Sequence, residues 1–137
     1  MQIMTQLAFG GQCRQAFEFY EKVLGGRISV MNAFGDSVSK LPPGSTASAP
    51  DQIRFAELRV GDFVILGNDV PQNEFAPMRG FHIALHLKTE DEARLIFEAL
   101  SDGGEVETPL SDLAWSSAFG TLTDRFGTPW LILALDK

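Results

Sequence analysis

Two stretches decide the fold: Ala16-Phe17-Glu18-Phe19-Tyr20, closing on Gly25-Gly26, and Ala93-Arg94-Leu95-Ile96-Phe97, closing on Gly103-Gly104. In both, apolar residues recur at helical spacing: Ala16, Phe19, Tyr20 and Val23 in the first, Ala93, Ile96, Phe97 and Leu100 in the second. A glycine pair after each suits a helix end that needs positive φ. The second helix also carries a start signal, because Thr89 with Glu92 three residues on makes a capping box. Two such segments in one chain mark an internal repeat.

The residues around each helix repeat as well. An apolar segment precedes each one, at 3–9 and 81–87, and three strand-like stretches follow. Those stretches are 27–34, 52–60 and 62–68 in the first half, and 105–110, 116–123 and 129–135 in the second. Residues 35–51, rich in Ser, Pro and Gly, read as a mobile surface loop, and 69–79, with two prolines, as a linker. The expectation is one α+β domain over 1–137, built from two β-α-β-β-β modules. Module one covers about 1–68 and module two about 80–137.

Alternation on one strand bears on function. Phe81, Ile83, Leu85 and Leu87 share a face that should pack on the helices, so His82, Ala84 and His86 take the other. Both histidines of the chain then lie on one sheet face, roughly 13 Å apart along the strand. Such a face can wall a cavity.

Composition narrows the function classes. The chain has 137 residues, 45% hydrophobic and 21% charged, which fits one globular domain. Eleven basic against 18 acidic residues give a net charge of -7, which argues against a nucleic-acid partner. The lone Cys13 cannot form an intrachain disulfide, which points to a reducing compartment. The longest apolar run, 130–135, is too short for a membrane span, and the first residues lack the pattern of a signal peptide. A soluble, cytoplasmic protein is expected.

Several strings in this frame resemble the PhnB-like family of the vicinal oxygen chelate superfamily, which includes glyoxalase I, bleomycin-resistance proteins and extradiol dioxygenases. They are Ala16 to Gly26 with its Phe-Tyr pair, Glu57-Leu58-Arg59-Val60-Gly61-Asp62, Pro77-Met78-Arg79-Gly80-Phe81, and Trp115…Phe119-Gly120…Thr123-Asp124-Arg125-Phe126-Gly127…Trp130. The resemblance runs nearly end to end, apart from the 35–51 loop. It implies curved, mostly antiparallel sheets around a cavity, a homodimer, and, in metal-dependent members, ligands for one divalent cation from the first and last strands of each module.

Carried over residue by residue, the ligand position of the second module falls on His82, eleven residues before Ala93. The same offset from Ala16 puts its partner on Thr5. The carboxylate positions fall near Leu66 and Leu131, and a shift of one residue offers Gln6 with Gly67 or Asn68. One histidine, one threonine and two leucines cannot supply the three or four N, O or S donors such an ion needs. The expectation is therefore no glyoxalase-type metal site and no cofactor.

The catalytic candidates are His82 and Glu57. His82 is either a pocket base or a hydrogen-bonded wall residue. Glu57 is either a proton-transfer carboxylate or a partner of Arg59, with which it shares a face along with Ile53 and Phe55. Thr5, His82, His86 and Trp115 make up the expected pocket. Within it, His82 should face the cavity and His86 should matter less. Trp130 and Cys13 read as structural, and Glu90-Asp91-Glu92 as ordinary helix-start acids. Members of the family are often named as ubiquinone-biosynthesis methyltransferases. Neither a glycine-rich strand-to-helix turn nor a Rossmann-like alternation is present to support that here.

The function expected is binding, or metal-independent transformation, of a small organic ligand. The alternatives are a metal-dependent lyase, isomerase or dioxygenase, and a drug-sequestering binding protein.

Overall fold

The computed structural model describes residues 1–36, 41–44 and 46–137, so the expected 35–51 loop falls partly outside the described residues. The chain forms two compact units, Met1–Ala76 and Pro77–Lys137. The first contains β1 (Thr5–Phe9), α1 (Cys13–Leu24), β2 (Arg27–Ala33), β3 (Ile53–Val60) and β4 (Phe63–Asp69). The second contains β5 (Ile83–Leu87), α2 (Glu90–Ser101), β6 (Glu105–Leu113), β7 (Ser116–Thr123) and β8 (Pro129–Ala134).

Each unit is a four-stranded sheet with one helix, in the orders β1-β4-β3-β2 and β5-β8-β7-β6. The pairs β1–β4 and β5–β8 are parallel and the others antiparallel, so each sheet is mixed. The architecture is α+β, and the β-α-β-β-β repeat read from the sequence is present in both halves.

Each helix packs through an aromatic ring that meets a glycine on the sheet. In α1 the buried residues are Cys13, Ala16, Phe17 and Tyr20; in α2 they are Ala93, Phe97 and Leu100. A Cβ on Gly67 would come within 2.6 Å of the Phe17 ring, and one on Gly120 within 2.7 Å of the Phe97 ring. The missing side chains therefore form slots that seat the two rings. This corrects the expected stripe of α1, where Phe17 is core and Phe19 and Val23 are only half-buried.

The helix ends differ. At the end of α1, Gly25 adopts φ +69° and donates its N–H to the Glu21 carbonyl, whereas α2 ends on an extended Asp102 before Gly103 turns at φ +76°. The capping box of α2 is formed on its threonine side, since Thr89 Oγ1 accepts from the Glu92 amide at 3.2 Å.

Two strand readings need correction. β5 begins at Ile83, so Phe81 and His82 precede it, and Phe81 is 39% exposed rather than packed on a helix. β6 continues past residue 110 to Leu113, through Pro109. It is an edge strand with shifted register between Thr108 and Ser111, where a missing N–H costs the ladder little.

Two buried carboxylates organise the connections. Asp69 Oδ1 accepts from the amides of Gly11 and Cys13, both at 3.0 Å, and Oδ2 from that of Ile53 at 2.8 Å. It thereby caps α1, whose own N-cap residue Gln12 makes no side-chain cap bond. Asp124 Oδ1 accepts from the amides of Phe126 and Thr128 at 2.8 and 3.0 Å, and Oδ2 from Trp130 Nε1 at 2.8 Å. Trp130 is fully buried, as expected of a structural residue.

Removing a buried hydrogen-bonded carboxylate leaves its donors unsatisfied. Asp124→Ala should therefore cost about 2–4 kcal/mol in urea unfolding. A loss below roughly 0.5 kcal/mol, the level of an ordinary surface substitution, would show that the turn holds without it.

Candidate functional site

Side chains alternate along each strand, so every sheet has one face toward its helix and one away from it. In β5, Ile83, Leu85 and Leu87 are half-buried while Ala84 and His86 are exposed, which is the expected parity. His82 is also exposed, but it stands just ahead of the strand, and neither imidazole has a hydrogen-bond partner among the described residues. His86 lies opposite Leu133, which in turn lies opposite Phe119. Trp115, 60% exposed in the β6–β7 turn, meets the Phe119 ring edge-on at 5.5 Å. Of the expected pocket residues, Trp115 thus packs on Phe119, which the sequence reading did not single out, while His86 stands two strands away across Leu133.

The metal-ligand positions can now be tested on the ladders. Three residues separate β1 from α1 and two separate β5 from α2. Counting back from the helix therefore misses by one in the first unit, and the counterpart of His82 is Met4 rather than Thr5. Leu66 lies opposite Gln6, and Leu131 opposite Ala84. Gln6 Nε2 donates to Asn68 Oδ1 at 2.9 Å, so this face carries an amide pair instead of carboxylates. Among the described residues no three His, Cys, Asp or Glu side chains group as a metal site would require. Methionine, leucine and amide side chains do not fit a divalent cation of the glyoxalase type.

The first unit brings two other candidates together. Thr5 and Glu57 line a cavity of about 460 Å³, with Ile3, Met4, Arg59 and Phe63 among its walls. Glu57 and Arg59 are two apart on β3 and so share a face, with Arg59 Nε 3.3 Å from Glu57 Oε2. The register shift between Ile28 and Val30 on β2 lets Ser29 Oγ donate to the same oxygen at 2.5 Å. The Glu57 side chain is 18% exposed and that of Arg59 is 49% exposed. Pairing with Arg59 was one of the two readings of Glu57, and it is present. Ile53 is not on this face. A second register shift, between Asn32 and Ala33, accompanies its complete burial, and its amide is held by Asp69.

A second depression, of about 430 Å³, opens at the start of α1 and is lined by Arg14, Asp36, Asp51 and Asp69 among others. Its buried carboxylate, Asp69, is taken up by three backbone amides. Nor is Cys13 beside it a nucleophile. Burial first, then the Asp69 charge, pushes its thiol far above the usual range. The unfolded chain loses the Cys13 proton above about pH 8.5 while the folded chain keeps it, so this group lowers stability as pH rises past that point. Native protein at pH 8 should leave a disulfide reagent such as DTNB unreacted, and one thiol should appear on denaturation. Rapid native labelling would contradict the buried thiol.

Comparison with known proteins agrees with this geometry. The model of the Glyoxalase/Bleomycin resistance protein/Dioxygenase superfamily matches residues 3–132. Protein YjdN of Escherichia coli (strain K12) is 27% identical over 139 residues, covering 96% of this chain and 94% of YjdN. The crystal structure of PA1353 from Pseudomonas aeruginosa is 36% identical, with a TM-score of 0.89 over 100% of this chain and 99% of that one. The PhnB protein from Bacillus cereus, 21% identical over 98% of this chain and 99% of its own, shares the fold with a TM-score of 0.80.

Proposed function

Because the chain belongs to the Glyoxalase/Bleomycin resistance protein/Dioxygenase superfamily, we propose that it binds a small organic molecule beside Glu57, or transforms it there without a metal ion. The cavity itself carries this reading. At about 460 Å³ it lies within the range of roughly 300–1,000 Å³ usual for small-ligand pockets. Its walls combine an apolar part, Ile3, Met4 and Phe63, with a small polar set, Thr5, Glu57 and Arg59. Glu57 Oε1 has no partner among the described residues and is the open acceptor for a proton or hydrogen bond from a ligand.

The metal-dependent reading open to this superfamily would need carboxylates where Leu66 and Leu131 stand. A sequestering protein needs only the cavity, and absence of product after incubation with a bound ligand would single it out. A homodimer belongs to the same proposal. Sedimentation equilibrium at micromolar concentration should give twice the chain mass, and a monomer would refute that part.

A separate second candidate is His82, exposed just ahead of β5 in the second unit. A ligand found by thermal-shift screening should bind equally well with and without EDTA. Glu57→Gln should weaken it about tenfold or more. For a ligand that binds at the second unit instead, His82→Ala should weaken it with the fold kept, and His86→Ala should do little. Binding that needs an added divalent ion, or that ignores Glu57→Gln, would overturn the reading.

A further inference from the structure

Resting on that reading, we propose that the Glu57 cavity recognises a zwitterion: an ammonium and a carboxylate on one apolar body, as in an apolar α-amino acid. The argument starts from how the ion pair is used. Arg59 reaches Glu57 Oε2 through Nε, and its two terminal amino groups make no hydrogen bond to a described residue. Glu57 receives both Ser29 and Arg59 on Oε2, so Oε1 stays open. Each partner is therefore fixed on one side and unsatisfied on the other. A planar guanidinium held in place presents two parallel donors, which match the two oxygens of a carboxylate. A carboxylate oxygen held in place presents a charged acceptor, which matches an ammonium.

Charge decides between one-sided and two-sided ligands. The cavity sets Glu57 and Asp62 against Arg59, in a chain of net charge -7. A ligand carrying only a carboxylate would meet two acids beside its one partner. A ligand carrying only an ammonium would leave Arg59 unmatched and face its charge. A zwitterion satisfies both groups and brings no net charge. The rest of the ligand must be apolar, because Ile3, Phe63 and Met4 at this cavity are 90%, 78% and 42% exposed. Covering such side chains removes apolar surface from water.

Calorimetric titration of the full chain with norleucine, pentylamine, hexanoate and hexanol separates the possibilities. Norleucine should bind saturably, and the other three at least about tenfold more weakly, since each lacks one or both charge-assisted contacts. Arg59→Gln and Glu57→Gln should each lower norleucine affinity roughly 10- to 100-fold at an unchanged melting temperature. Should Arg59→Gln fail to fold, Arg59→Lys keeps the charge without the fork and should show the same loss. Equal binding of hexanoate, pentylamine or hexanol would overturn the proposal. Failure of norleucine while another screened molecule binds at Glu57 would overturn it too, leaving the broader function standing. Failure of every molecule screened would overturn both.

Discussion

The carboxylate of Asp69, 2% exposed, holds three backbone amides of the first unit, and the arrangement of that unit depends on it. A charge this deep in the protein is tolerable only when its oxygens are fully hydrogen-bonded. Its three donors lie at the approach to α1, in its first residue and at the start of β3, so one side chain at the end of β4 sets the position of two other elements. Holding the Ile53 amide keeps the start of β3 turned inward, and beyond the register shift Phe55, Glu57 and Arg59 lie on the outer face. The open cavity and the buried cap are thus linked through one strand. The same carboxylate helps to keep the Cys13 thiol protonated.

Asp124 plays the matching part in the second unit, where it closes the turn between β7 and β8 and fixes the Trp130 indole. The two units solve a second problem alike. A ring from the helix, Phe17 or Phe97, fills the space left by a glycine on the sheet, Gly67 or Gly120. Close-packed interiors tolerate neither a void nor an overlap at such a point. The repeated fold therefore rests on repeated contacts as well as repeated strand order.

On the faces away from the helices the two units diverge. The first carries the amide pair Gln6–Asn68 and the Ser29–Glu57–Arg59 cluster. The second carries His86 opposite Leu133, with Trp115 against Phe119. The positions where the sequence resemblance leads one to expect carboxylates, 66 and 131, hold leucine in both units. The two units share their packing while the side chains on the faces away from the helices differ, and a fold does not by itself fix a chemistry.

The repeat, the α+β class and most strands were legible in the sequence because helical and alternating periodicities are local properties of the chain. Local too were the Thr89 cap, the Phe81–Leu87 parity from Ile83 onward, and the structural role of Trp130. The failures are equally specific. Periodicity could not tell that Phe17 rather than Phe19 is core, since that depends on Gly67, fifty residues away and visible only across the helix–sheet contact. Nor could it show the extra residue between β1 and α1 that moves the counterpart of His82 from Thr5 to Met4. The Glu57–Arg59 pair could be suspected from spacing alone, but Ser29 joins it only because a shifted register on β2 brings it into reach. Local pattern is written along the chain; the partners of a side chain are set by ladder register and by slots that exist only once distant segments pack together.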